Sequence, residues 1–410
     1  MLLHHAFGRL IRRGRLTVRY PDGQRRSYGS GDAPFAGMNI RTPRALRGMT
    51  FNPGLALGEG YMEDTIRPDG CSLYELLDLL VLNLATGGTH PAERAMATLR
   101  WPLRWFEQLN PAGRSQRNVA HHYDLDDRLY AMFLDADRQY SCAYFPTGRE
   151  TLEEAQAAKK RHIAAKLLLE RPGLEVLDIG SGWGGLAIEL ARDWGARVTG
   201  ITLSSEQLEV SRARAQAAGL ADRVRFELMD YRAWDRPMDR IVSVGMFEHV
   251  GIAQYRAFFA ALRRTLRPDG VALVHAIGRS DGPGTTNPWL AKYIFPGGYS
   301  PALSEVLPVV EGSGLLVTDI EILRLHYAHT ISAWRARFDA RREEIAALYD
   351  ERFCRMFEFY LAGCEIAFRR GGHMNWQMQL AAREGVVPMS RAYMVDAERA
   401  ARQRQAAPAE

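Results

Sequence analysis

The sequence predicts an α/β protein: a doubly wound, mostly parallel sheet with a helical cap, preceded by a small α+β domain. Three observations carry that expectation. From about residue 150 onward, apolar strand-like runs alternate with helical segments, as in a parallel sheet covered on both faces. The first of those strands ends in a glycine-rich turn that opens a helix. The opening third is patterned differently, with short strands, a tight turn and a capped helix. At 410 residues two domains are the natural expectation, and 47% hydrophobic with 25% charged residues excludes a disordered or fibrous chain.

Taken in order, Phe7, Leu10 and Ile11 interleave with Arg9, Arg12 and Arg13. That pattern suits either a basic amphipathic segment on a membrane or a helix docked on its own domain. Leu16–Tyr20 and Arg25–Tyr28 flank Pro21-Asp22-Gly23, a turn between two short strands. Ser72 and Glu75 form a capping box opening a Leu-rich helix to about Leu84. The stretch from Pro111 to Gln116 reads as a linker. Beyond it Thr151–Leu169 is helical in periodicity. Strands follow at Glu175–Ile179, Arg197–Ile201, Arg223–Met229 and Arg240–Val244, with helices reaching Arg192 and Ala218 between the first three. Helix Gln254–Leu266 and a turn at Arg267–Gly270 lead into the strand Val271–Ala276. The expected domains are 1–110, basic and lipid-docking, and 118–395, catalytic, with 396–410 a disordered tail.

Charge is unevenly placed. Arg9, Arg12, Arg13, Arg15, Arg19, Arg25, Arg26, Arg41, Arg44 and Arg47 face only Asp22 and Asp32 within the first 50 residues, while acids outnumber bases in the remainder. A local basic excess implies an anionic partner, and no nucleic-acid motif accompanies it, so a phospholipid surface is the better match. Met1–His5 lacks a secretory n-region, and the best apolar run, Ser72–Ala85, carries Glu75 and Asp78, so no membrane span is expected. Cys71, Cys142, Cys354 and Cys364 have neither disulfide-framework nor metal-ligand spacing. The expected setting is the cytoplasm, peripheral at the inner membrane face.

The strongest local signal is Val176 to Gly185, with Asp178 in the strand and Gly180, Gly182 and Gly184 in the turn. Glycines there allow the backbone to bend tightly and approach a ligand at the helix N-terminus. The spacing differs from the dinucleotide fingerprint, and the second strand ends in Thr202-Leu203 rather than an immediate carboxylate. This is the pattern of S-adenosylmethionine (SAM) methyltransferases.

Further motifs point to a family. Asn118–Leu125, Tyr140–Phe145, the glycine turn, Val242–Gly251, His275 with Ile277 and Gly278, Lys292–Gly298, Tyr327 and Phe359–Cys364 occur in the order found in one group of enzymes. Over about residues 118–380 the chain resembles the cyclopropane-fatty-acyl-phospholipid synthases and the mycolic acid cyclopropane synthases; its basic N-terminal extension resembles the bacterial phospholipid enzymes. Ser181 departs from the cysteine usual in the family.

The resemblance implies transfer of a SAM methyl carbon to a cis double bond of a phospholipid acyl chain. The resulting carbocation would lose a proton to a bound bicarbonate as the cyclopropane closes. It implies bicarbonate holders at Cys142, Glu248, His275 and Tyr327 with the amide of Val244. It implies SAM contacts at Tyr140, Ser141, Asp178, Gly180, Gly182, Gly184, Thr202, Leu203, Gln207, Tyr231 and Arg232. The segment Trp289–Tyr299 would form part of an acyl channel or lid, or a helical cap on the sheet, and His121, His122 and Tyr123 could edge the site. Cys364 sits where the family has a cysteine proposed as catalytic, yet the chemistry requires no thiol intermediate, so a structural role is the simpler reading. A homodimer rests on the resemblance alone. Two other outcomes stay open: a methyl-branched or methylene product from the same cation, and methylation of a soluble small molecule.

Overall fold

In the computed structural model the described residues are 2–101, 108 and 127–406. Contacts group the chain into two compact units. One comprises Met1–Glu107, Gly284–Pro296 and Ala328–His373; the other comprises Gln108–Pro283, Gly297–Tyr327 and Met374–Glu410.

The first unit holds a four-stranded sheet in the order β2-β1-β3-β4, built from β1 (Arg15–Arg19), β2 (Arg25–Gly29), β3 (Phe35–Ile40) and β4 (Ile66–Pro68). β1 and β2 form the expected hairpin, and β3 runs parallel to β1. Helix Leu2–Leu10 buries Leu3, Ala6, Phe7 and Leu10 in the core of this unit beside Leu16, Val18 and Met38. Its apolar face is therefore taken by its own domain, which leaves the arginines rather than the hydrophobes for a partner. Helix Leu73–Ala85 starts at the predicted Ser72–Glu75 capping box. Its buried Asn83 accepts the amides of Arg12 at 2.8 Å and Arg13 at 2.9 Å, which fixes the path of the basic segment.

The unit is completed by chain from far downstream. In helix Glu351–Arg370, Ala362 and Ile366 pack on Leu73 and Leu77, and Arg370 pairs with Asp78 at 2.5 Å. Helix Pro288–Tyr293 lays Trp289 against Gly58, where even a methyl group would lie 2.5 Å from the indole. Contacts thus cut across the linear boundary expected near residue 110, because the apolar faces of these later helices find their partners in the first hundred residues. Trp289, in the segment expected to form part of an acyl channel or its lid or a helical cap, donates to the Met62 sulfur at 3.2 Å and packs on Phe359.

The second unit is a seven-stranded sheet in the order β10-β11-β9-β8-β5-β6-β7. Its strands are β5 (Glu175–Ile179), β6 (Arg197–Thr202), β7 (Val224–Leu228), β8 (Met238–Val244), β9 (Leu266–Arg279), β10 (Leu316–Ile322) and β11 (His373–Ala381). The strands from β7 to β9 in that order are parallel, and β10 pairs with β11 antiparallel. The predicted turn Arg267–Gly270 is absorbed into β9 as a bulge: the register jumps from Met238↔Leu266 to Arg240↔Val271. β5 and β8 are flanked on both sides; β5 buries all but Glu175, and β8 buries Met238 and the run Ile241–Ser243, as central parallel strands do.

The tail expectation is corrected. Residues 396–406 continue the helix Ala392–Ala406, which buries Met394, Glu398 and Ala401. Glu398 is bound at 2.7 Å by His162, so a buried charge pair, not composition, orders this end. The linker at 111–116 and the His121–Tyr123 motif lie outside the described residues.

Candidate active site

Strand order reverses at β5, with β6 and β7 on one side and β8 and β9 on the other. Open α/β sheets bind ligands beyond the carboxyl ends of their strands at such a point. A cavity opens there, bounded by Asp178–Gly182 after β5, Thr202 and Leu203 after β6, Met229–Arg232 after β7 and Val244–Met246 after β8. Gly180 has φ +82°, and a Cβ on it would meet Met246 at 2.9 Å, so the turn hugs the neighbouring strand end. Of the predicted SAM contacts, Tyr140, Ser141, Asp178, Gly180, Gly182, Thr202, Leu203, Gln207, Tyr231 and Arg232 line this cavity. Gly184 does not: it caps helix Gly185–Trp194, and a Cβ there would collide with Phe226 and Ser211. Its glycine is required by packing behind the site.

The cavity is polar at one end and apolar along its walls. Asp178 is buried, and its Oδ2 has no hydrogen-bond partner among the described residues. Burial pushes its carboxyl up to about 7, against the pull of Lys159. Such an orphaned acceptor suits a ligand ammonium group. Ile179, Ile201, Leu203, Met229 and Tyr231 supply an apolar wall suited to a flat heterocycle. Asp230 holds Arg232 through two contacts at 2.8 and 2.6 Å, and despite burial this pairing keeps its carboxyl below the usual range. Thr202 Oγ1 donates to Gln207 Oε1 at 2.9 Å and accepts the Ser204 amide at 3.1 Å. An amino acid joined to a nucleoside, as in SAM, fits this donor set and these walls.

The residues expected to hold bicarbonate all lie in the second unit. Glu248 follows β8 and is buried; its Oε1 accepts the Ile277 amide at 2.6 Å, and its Oε2 has no partner among the described residues. Burial raises its carboxyl to about 7, partly offset by that amide. His275 lies on β9, paired in register with Val244 of β8. The backbone amide that donates to Glu248 is that of Ile277. Cys142 and Tyr327 are both buried. Tyr144, two residues past Cys142, stacks on His326, which precedes Tyr327 and accepts the Phe145 amide at 2.9 Å.

His275 is more thoroughly held than its sequence setting suggests. Asn375 lies 3.1 Å from one ring nitrogen and Gln377 3.2 Å from the other, both from β11. A neutral imidazole has one proton, so one amide must turn its oxygen to the ring, and both amide oxygens otherwise lack partners. Burial lowers this imidazole to about 3, so it is neutral throughout the physiological range. Cys364 lies on helix Glu351–Arg370 in the first unit, and desolvation pushes its thiol up to about 12. A thiol so poised carries almost no thiolate at neutral pH.

Sequence reasoning did not single out Arg138, Gln139, Met246, His249 and Val250 as lining residues, whereas Trp183 falls in the Asp178–Leu186 turn expected to contact SAM. Trp183 and His249 lie inside motifs already recognised; Arg138 and Gln139 adjoin Tyr140. Only the fold selects which of them face the cavity.

Comparisons with known proteins agree with this geometry. The family model described as mycolic acid cyclopropane synthetase matches residues 111–378, and a domain of unknown function matches residues 2–85. The cyclopropane-fatty-acyl-phospholipid synthase of Escherichia coli K12 is 37% identical over 351 residues, covering 85% of this chain and 88% of that protein. The tuberculostearic acid methyltransferase UfaA1 of Mycobacterium tuberculosis is 36% identical over 395 residues, covering 90% and 88%. Among solved structures, the mycolic acid cyclopropane synthase CmaA1 complexed with SAH and CTAB superposes with a TM-score of 0.62 at 34% identity, covering 66% of this chain and 99% of that one.

Proposed function

The chain belongs to the cyclopropane fatty acid and mycolic acid cyclopropane synthase family of SAM-dependent methyltransferases, and on that premise we propose that it builds cyclopropane rings on cis-unsaturated acyl chains of phospholipids. The observation that carries this reading is Glu248: a buried carboxylate with one orphaned oxygen, standing beside the SAM cavity at the end of β8. SAM supplies the methyl group as a sulfonium electrophile. The alkene is a weak nucleophile, so the residues around it must position it and exclude water. A carboxylate in that apolar setting stabilises positive charge developing on the acyl chain far better than one in water.

Bicarbonate, if bound here, supplies a base for the closing proton transfer. Among the described residues Glu248 Oε2 is the orphaned acceptor that its hydroxyl would meet, with Cys142, Tyr327 and the Val244 amide as further holders, the Ile277 amide being taken by Glu248 Oε1. His275 contributes through whichever hydrogen bond Asn375 and Gln377 leave it, and always as the neutral ring.

A second reading keeps cofactor and acyl substrate but ends in a methyl-branched or methylene chain. The relative named tuberculostearic acid methyltransferase, similar along nearly the whole chain, favours it. The test is incubation of cis-unsaturated phospholipid liposomes with SAM labelled at the methyl carbon, followed by NMR of the extracted lipid. Upfield ring signals bearing label support cyclopropane synthesis. Label in branched-methyl or vinylidene signals establishes the second reading. Absence of label in lipid, with SAM bound, redirects the search to a soluble substrate.

The exposed arginines of the first unit fit a phospholipid surface as the site of action, at the inner membrane face. No helix among the described residues is long and apolar enough to cross a membrane.

A further inference from the structure

Helix Leu152–Lys166 lies under the loop that forms one end of the cavity, and its Lys159 is fully buried. The ammonium donates to Gln139 Oε1 at 2.7 Å and to Ser141 Oγ at 2.8 Å, both neutral acceptors. The nearby acids are committed elsewhere. Asp137 pairs with Lys160 at 2.7 Å and with Arg214, while Asp135 accepts the amides of Gln139 at 2.8 Å and Asp137 at 3.1 Å. Among the described residues Lys159 has no carboxylate within ion-pair distance. A buried ammonium without a counter-ion is costly, unless a ligand brings the anion.

The hydrogen bonds say where that anion sits. An ammonium has no lone pair, so it occupies an acceptor position on Ser141 Oγ and leaves the hydroxyl proton to point elsewhere. Ser141 lines the cavity, as does Asp178, whose orphaned Oδ2 also feels the Lys159 charge. One end of the cavity therefore presents a cation-backed hydroxyl donor and a bare carboxylate together. That pair is the complement of an α-amino acid zwitterion.

We propose that Lys159 is a positioning residue that, through the Ser141 hydroxyl, recognises the α-carboxylate of SAM, while Asp178 takes its ammonium. This rests on the reading of the cavity as the SAM site and adds the residue that supplies its positive half. The loop backbone does not depend on Lys159: Gln156 separately binds the carbonyls of Gln139 and Ser141 at 3.1 and 3.0 Å. Charge and loop geometry can thus be separated experimentally.

The test is calorimetric titration of SAM and of decarboxylated SAM, which keeps the ammonium, sulfonium and adenosine. Wild-type protein should prefer SAM by about tenfold or more, the worth of a charge-assisted contact. Lys159→Met should erase that preference by weakening SAM more than the decarboxylated ligand, which loses only the help Lys159 gives in keeping Asp178 ionised. Ser141→Ala, which removes no charge from the interior, should cut the preference in the same direction and decides the matter if Lys159→Met does not fold. Retention of the preference in the folded variants, or equal weakening of both ligands, overturns the proposal. Failure of the wild type to bind either ligand overturns the SAM reading itself.

Discussion

Glu248 reaches from the end of β8 to β9 and accepts the Ile277 amide at 2.6 Å, leaving its second oxygen buried and unpartnered. One half of the carboxylate is anchored by backbone and the other is free for chemistry. Glu248→Gln keeps the anchor and removes the charge. Lipid product should fall by at least about 100-fold, the scale of losing one preorganised electrostatic contact. SAH titration of the same variant should be unchanged, since Glu248 does not line the SAM cavity.

Asp178 should make SAM binding pH-dependent. Its carboxyl titrates at about 7, and only the ionised form can pair with the ligand's ammonium. As pH falls below 7, affinity should drop toward about tenfold per pH unit. Calorimetry between pH 5.5 and about 7.5, a window chosen around that value, reads the slope. Asp178→Asn should flatten it; a slope unchanged in that variant would assign the titration to another group.

His162 links three elements: Glu398 binds one ring nitrogen and Glu321 the other, each at 2.7 Å. Burial alone would lower its pKa, but the two carboxylates hold it above the ordinary value. A raised folded-state pKa means the stabilisation is fully present below the unfolded value of about 6.5 and is lost as pH rises through the folded value. Glu398→Gln should cost about 1–3 kcal/mol at pH 6 and less in alkaline solution. Melting curves at both pH values, beside wild type, test the narrowing of the gap.

Cys364→Ala should retain activity within about threefold, because a thiol held near 12 is not a nucleophile at neutral pH. Loss of turnover with SAH binding preserved would restore a catalytic role for this cysteine.

Arg9, Arg12 and Arg13 should govern membrane association. Binding to anionic liposomes should weaken with added salt, and the triple change to Ser should cost up to about 1 kcal/mol per residue. Sedimentation with vesicles at two ionic strengths checks it, and indifference to both variables would remove lipid headgroups as the partner.

Much of the fold was legible locally. Ser72 with Glu75 marks a helix start because side chain and backbone satisfy each other within one turn. The strand, glycine turn and helix around Asp178 follow from periodicity and backbone freedom at Gly180. Less legible were groups whose meaning depends on distant chain. A histidine inside an apolar strand does not show that Asn375 and Gln377, a hundred residues on, will hold both its ring nitrogens. Nor does the composition of 396–406 reveal that Glu398 will meet His162. Gly184 read as a ligand contact because its motif is contiguous, yet the pressure on it comes from Phe226.

The sequence by itself determined the alternating strands and helices of the parallel sheet and the family, and it named ten residues that line the cavity, since these depend on short-range pattern and contiguous motifs. Tertiary structure alone decided that residues 328–373 pack with the first hundred, that Ile277 presents the amide to Glu248, and that Lys159 donates to Ser141 from the interior. The physical reason is burial. Solvation, hydrogen-bond satisfaction and the cost of an isolated charge are set by what surrounds a group in space, and chain spacing does not encode that environment.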